Sequence, residues 1–240
     1  MLVGSYNVGI LKLPTFVEDL FGLTDDSVDD GMPGDEGKLY EAIKDALSDD
    51  NTSAVVDYDV TKESLLQAIT AAETPNEYTA VYTVTHKIGK NEKIETVRIW
   101  KQGDRYVIRK SDEDNVLTSE IYNNGTSVSV TTYVGKDKSV YVYPASDDFT
   151  IESDAGIPSM AEFLTSESIA DLKITLNRAI DYHLYQAEYS YTDSDQKELT
   201  YLILEYNMIL HSETVVAGEK VYTCSLDSIE TKITGIEFPD

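Results

Sequence analysis

The apolar positions along this chain change their spacing at Pro75. Upstream, Leu65, Leu66, Ile69 and Ala72 fall on one side of a helix over 61–73, with the Thr61 hydroxyl placed to cap its first amides and Pro75 placed to stop it. From Tyr78 onward the period becomes two. In EYTAVYTVTHKI, Tyr78, Ala80, Tyr82, Val84, His86 and Ile88 share one face, while Thr79, Val81, Thr83, Thr85 and Lys87 share the other, which predicts a long antiparallel strand. The segments KIETVRIWK, RYVIRK, VLTSEIY, TSVSVTTYV and SVYVYP follow, separated by the polar turns GKNE, QGD, SDEDN, Asn124-Gly125 and GKDK. Asn-Gly is the strongest of these turn signals, because the pair accepts positive φ at both central positions of a tight hairpin. Six strands joined by such short turns pair as a meander.

The pattern then breaks. GIPSMAEFLTSESIADL, over 156–172, predicts a helix with Met160, Phe163 and Leu164 on one side, then a second helical turn from Ser166 carrying Glu167, Ile169 and Leu172. Strands resume in RAIDYHLYQAEYSY, LTYLILEY, MILHSETVV and KVYTCSLDSIETKI, with Asn207 as a left-handed turn residue before Met208. The expected order is helix, six strands, helices, then four or five strands.

Residues 1–60 differ in character. They hold 14 acidic and 3 basic side chains, a net of −11 within a chain whose total is −25. An apolar arm over 10–23, rich in Leu and Phe, gives way to the turn-forming acidic run TDDSVDDGMPGDEG at 24–37. Leu39, Ile43 and Leu47 then predict a short amphipathic helix over about 38–48. Two regions are expected: an acidic N-terminal arm, loop and helix over 1–60, and a curved-sheet domain over 61–240.

Charge and composition narrow the partners. With 44 Asp and Glu against 19 Lys and Arg, no window supplies the basic stripe that nucleic acid or an anionic membrane surface requires. Cys224 is the only cysteine, so no intrachain disulfide forms. No apolar run reaches the roughly 18 residues of a membrane span, and the opening MLVGSYNVGILKLP lacks the order of a signal peptide. The expectation is therefore either a cytoplasmic protein or one whose targeting segment lies outside this chain.

Several strands are apolar on both faces. Ile94 and Trp100 share one parity with Thr96 and Arg98, while Val97 and Ile99 share the other; Val140 and Val142 oppose Tyr141 and Tyr143. A flat sheet with one solvated face does not produce this, whereas a sheet that curls and carries helices against one side does. The 17 tyrosines fit such a shape, each offering a large ring with a polar tip. The amphipathic stripes read either as plain core or as the lining of a ligand pocket.

The order of a helix ending in a Pro-containing turn, EYTAVYTVTH, RIWKQGDRYVIRK, NNGTSVSV, YVYP, GIPSMAEFL and YLILEYNMILHSETVVAGEKVYTCSL resembles the LolA-like superfamily over about 60–235. That group includes the periplasmic lipoprotein carrier, envelope-stress sensors and Gram-positive lipoproteins. Asn207 stands where many relatives have Gly, and the acidic first quarter has no counterpart. The resemblance implies an α+β, mainly antiparallel fold: a strongly curved half-open β-barrel of about eleven strands with helices across its concave face. It also implies a non-enzymatic, extracytoplasmic protein that holds a lipid or other apolar ligand in that concavity, or alternatively grips a protein without a small ligand. Tyr82, Val84, Trp100 and Tyr106 on the strands, with Met160, Phe163 and Leu164 on the second helix, are the candidates to line or close it. A lipid or acyl chain, and a protein partner on the N-terminal arm, are the expected partners; a membrane tether would come from outside this chain.

Candidate chemistry is sparse. His86, His183 and His211, with Asp181 or Glu213 nearby in sequence, show no paired metal-ligand spacing, and Cys224 lies mid-strand without a partner base. There is no GxSxG elbow, GxGxxG or Walker loop. Aligning DDSVDDGMPGDEG on a calcium loop puts Val28 at a ligand position and Gly37 where a bidentate Glu is needed, so a solvated linker is expected. No catalytic residue, metal or cofactor is expected.

Overall fold

The computed structural model describes residues 11–12, 60–72, 74–165, 169–177, 184–192, 194–233 and 235–238. The acidic loop 24–37, the helix expected over 38–48, most of the apolar arm, Ser166, Glu167, Asp181 and His183 lie outside the described residues. Of the arm, Leu11–Lys12 forms a short strand, β1.

The sheet begins with a meander of six strands: β2 (Glu77–Ile88), β3 (Asn91–Gln102), β4 (Arg105–Asp112), β5 (Leu117–Asn123), β6 (Ser127–Val134) and β7 (Asp137–Pro144). Five more complete it: β8 (Ile169–Asn177), β9 (Leu184–Tyr191), β10 (Gln196–Ile203), β11 (Met208–Val216) and β12 (Glu219–Glu230). β12 pairs with β2 and joins the two halves, so the order is β7-β6-β5-β4-β3-β2-β12-β11-β10-β9-β8, antiparallel throughout. β1 pairs with the far end of β12, Leu11 opposite Ile229. β7 and β8 are not paired with each other, so the sheet does not close.

Bulges bend it. The register shifts at Lys110/Ser111, Ala170/Lys173, Tyr201/Leu202, Thr214/Val215 and Leu226/Ser228, and each inserted residue kinks its strand and adds twist. The helices α1 (Lys62–Ala71), α2 (Ile151–Ala155) and α3 (Met160–Thr165) lie in the two connections flanking the meander. Their buried residues join the apolar side chains of one sheet face in two clusters. An unclosed, bent path of eleven strands with helices laid on one face is the mainly antiparallel, half-open fold expected from the sequence.

Three local expectations are corrected. The expected helical turn is not formed at Ile169 and Leu172, which belong to β8. Their three-residue spacing, which imitates a helix, arises because Asp171 (φ 49°) sits in a bulge that adds one residue to the alternation. Conversely, Ile151–Ala155 forms a helix that the periodicity did not mark. At the β5–β6 turn only Gly125 has positive φ (87°). Asn124 instead accepts the Thr126 and Ser127 amides on its side-chain oxygen, at 2.9 and 2.8 Å, and so holds the turn with its carboxamide. Asn207, by contrast, does occupy the left-handed region, at φ 49° and ψ 45°.

Candidate functional site

The lid is built from short helices, of which α1 and α2 are capped. Thr61 accepts the Ser64 amide at 3.1 Å to start α1, whose Leu65 and Ile69, four residues apart, are buried. α3 repeats the spacing with buried Met160 and Leu164, and the two helices share one apolar cluster with Tyr185, Ala187 and Tyr189 of β9, Leu202 and Ile209. Thr150 caps α2 through the Ser153 amide at 3.1 Å. At its other end Gly156 turns left-handed (φ 75°), and the amides of Gly156 and Ile157 close on the carbonyls of Ser153 and Glu152. A side chain at Gly156 would be strained there and would stand 3.4 Å from Lys110 Nζ.

Polar bonds fasten this lid to the sheet. The Tyr106 hydroxyl donates to Asp154 Oδ2 at 2.5 Å, and the Tyr222 hydroxyl donates to the Gly156 carbonyl at 3.1 Å. Burial raises the Asp154 carboxyl above its ordinary value, opposed by the Tyr106 bond and by the Lys110 charge. Burial likewise lowers the Lys110 ammonium, with Glu95 and Asp154 acting the other way.

Between lid and sheet is a cavity of about 250 Å³. Its sheet wall is Tyr78, Tyr82 and Ile99; the lid contributes Ile69, Ile151, Ile157 and Met160; the β10–β11 hairpin adds Leu202, Met208 and Ile209. Polar atoms enter from Lys101, Glu152, Thr74, Ser159 and Asn207. The cavity therefore lies where the two apolar clusters meet, since its wall draws on both.

Tyr82 and Met160, expected from sequence to face the concavity, line this space. Val84 and Tyr106 are buried on the same sheet face, and Leu164 is buried within the lid cluster. Trp100 stands on the opposite face, opposite Thr79 and Val107, with Arg98 and Arg109 at 5.9 and 5.3 Å from its ring. The side chain of Phe163 is outside the described residues. Sequence reasoning missed Ile99 and Tyr78 as lining residues, although both follow once Tyr82 is placed: Tyr78 shares its parity, and Ile99 pairs with Ala80 between them.

The two described histidines are held apart. His86 packs edge-on to Tyr222 with ring centroids 5.1 Å apart, whereas His211 faces the other side, bonded to Ser225 Oγ at 2.8 Å. Burial pushes His211 down to about 4, opposed by neighbouring Glu213. Cys224 is fully buried, and loss of solvent pushes its thiol up to about 12, so it stays protonated at neutral pH. Among the described residues no group of three His, Cys, Asp or Glu side chains is placed to hold a metal ion. No helix among them is long and apolar enough to cross a membrane.

No protein-family description matches the chain, and no curated protein matches it. Among solved structures it is similar to a LolA superfamily protein from Nitrosomonas europaea, at 13% identity over 75% of this chain and 98% of that one, with a TM-score of 0.32. It is similar also to the MucA/MucB complex of Pseudomonas aeruginosa, at 11% identity over 70% of this chain and 56% of that one (TM-score 0.44). A DUF1329 family protein from Desulfovibrio piger matches at 7% identity over 73% of this chain and 93% of that one (TM-score 0.34).

Proposed function

We propose that the protein is a non-enzymatic, extracytoplasmic binding module that takes a slim apolar ligand, such as an acyl chain, between its lid helices and the inner face of its sheet. The observation that carries this reading is the cavity of about 250 Å³, walled by Tyr78, Tyr82, Ile99, Leu202 and Ile209. It is slightly smaller than the roughly 300–1,000 Å³ usual for drug-sized ligands, which suits one chain rather than several. Apolar walls reward burial of methylenes at about 0.8 kcal/mol each. Lys101 and Asn207 in the lining offer a polar end of the ligand something to bond.

The test is displacement of a fluorescent fatty-acid probe, with native mass spectrometry to count bound chains. Ala161, a partly buried lid residue in the lining, is the site to fill. The expected result is saturable probe binding by the wild type, lost in Ala161→Phe with the melting temperature unchanged. A wild type that binds neither probe nor any acyl chain would overturn the proposal.

A further inference from the structure

Among the described residues the strand β7 ends one side of the sheet, and all eight of its residues are exposed. Val140, Tyr141, Val142 and Tyr143 are 49, 55, 65 and 44% accessible. The hairpin shows which main-chain groups are free. Gly135 and Lys136 connect the pair Val134↔Asp137, and just beyond the strand Ala145 donates its amide to the Thr126 carbonyl at 3.0 Å. Alternate residues of an antiparallel strand direct N–H and C=O to the same side, so the odd-numbered residues of β7 bond to β6. Lys138, Val140 and Val142 direct theirs outward, and Pro144, which lacks an N–H, falls on the outward side too.

Exposed edges are ordinarily blunted by charge, bulge or proline. Here the stretch Ser139–Tyr143 has none of these, and its register with β6 is unbroken. We infer that β7 is a self-association edge, where a second copy of this chain pairs antiparallel, β7 to β7, about a two-fold axis at Tyr141.

Charge selects this occupant and orientation. Lys136 and Lys138, with Asp137 between them, leave the start of β7 net positive, and Asp147 and Asp148 follow its end. Antiparallel pairing sets the lysine end of each copy beside the acidic end of the other, whereas parallel pairing sets like charges together. Centring on Tyr141 pairs Val140 with Val142 of the other copy, so that they exchange main-chain bonds, and places the two Tyr141 rings side by side on the opposite face. Pro144 then meets Lys138 at the outer end of the ladder, where a missing donor costs least. The contact is isologous and therefore closes.

A single edge strand buries little area, so the dimer is weak and concentration-dependent. The −25 charge on each copy adds a long-range repulsion that salt screens. Self-association therefore strengthens with salt, whereas a basic partner drawn to this acidic chain would be released by it.

Sedimentation equilibrium of the full chain over about 10 µM to 1 mM, the range suited to a small interface, tests this at low and at moderate salt. The expected result is a reversible dimer favoured by salt and weakened about tenfold or more by Val142→Lys, which charges the free edge. The far-ultraviolet circular dichroism of that variant should be unchanged. Tyr141→Cys should oxidise rapidly to a covalent dimer, because its two copies face each other across the axis, while Ser139→Cys should not. A monomer at every concentration, a dimer indifferent to Val142→Lys, or equal cross-linking at 139 and 141 would each overturn the inference.

Discussion

Two ends of the same pair of strands, on the same face, are built from different chemistry. Along β10 and β11 the facing pairs run Glu198↔Thr214, Thr200↔Ser212 and, after a bulge, Leu202↔Ile209. The first two pairs satisfy each other: Thr214 donates to Glu198 at 2.7 Å, and the Thr200 and Ser212 hydroxyls bond at 2.9 Å. The third has no hydrogen-bonding atoms and forms part of the cavity wall beneath α1 and α3. Burial alone does not separate the two ends, for Thr200 and Ser212 are each 1% exposed and Leu202 is equally buried. What separates them is partnership. Buried polar groups persist where a cross-strand partner replaces water, and a site for greasy material requires a stretch of wall with no such groups to strand.

The largest effect on this contrast is expected at the apolar end. Leu65 is completely buried and fixes α1 over Leu202 and Ile209. Leu65→Ala should cost about 2–5 kcal/mol in urea denaturation, the usual range for a core leucine truncated to leave a cavity. A cost below about 1 kcal/mol would mean that the lid rests on the sheet without sharing its core.

This division could be read only in part from the sequence. Hairpin positions were legible because Gly, Asn and Asp mark them, and the inner face of β2 follows from simple alternation. The parity of β3 already separates Trp100 from Ile99, but nothing local says which of them faces the helices. That depends on where α2 docks, and α2 is a five-residue helix with one buried alanine, too short for periodicity to reveal. The cavity was illegible for a related reason: Ile69, Tyr82, Met160 and Ile209 come from distant segments, and only the strand order brings them together. The Glu198–Thr214 and Thr200–Ser212 pairs need a register that the bulge at Tyr201/Leu202 shifts by one residue.

An intermediate effect should come from breaking a polar pair singly and then removing it whole. Thr200→Val deprives the buried Ser212 hydroxyl of its partner and should cost about 1–3 kcal/mol, the penalty for a buried polar group left unsatisfied. Adding Ser212→Ala removes the stranded group, so the double variant should recover the part of that loss that Ser212 carries, while the Tyr189 hydroxyl still lacks its bond to Thr200. A double variant no better than the sum of the singles would show that the two hydroxyls contribute independently, and partnership would not be the rule at this end.

The smallest effect, and the most specific, belongs to Glu198. Loss of solvent raises its carboxyl above the ordinary value, while the bonds from Thr214 and Gln196 pull the other way, so desolvation is the larger of the two. A carboxyl whose folded value is raised keeps its proton to higher pH in the folded chain than in the unfolded one. Its stabilising share is complete below the unfolded value and is lost as pH rises through the folded one. Glu198→Gln keeps the shape and removes the charge, and the Thr214 hydroxyl can either donate to or accept from the new amide. The variant should therefore match the wild type at pH 4 and exceed it at pH 8, by about 1 kcal/mol or less given the partial compensation. Thermal melts at the two pH values give the sign directly. An advantage that shrinks on going from pH 4 to pH 8 would mean that the two donors stabilise the carboxylate more than burial penalises it, and the polar end of β10 and β11 would then be a place built to hold charge.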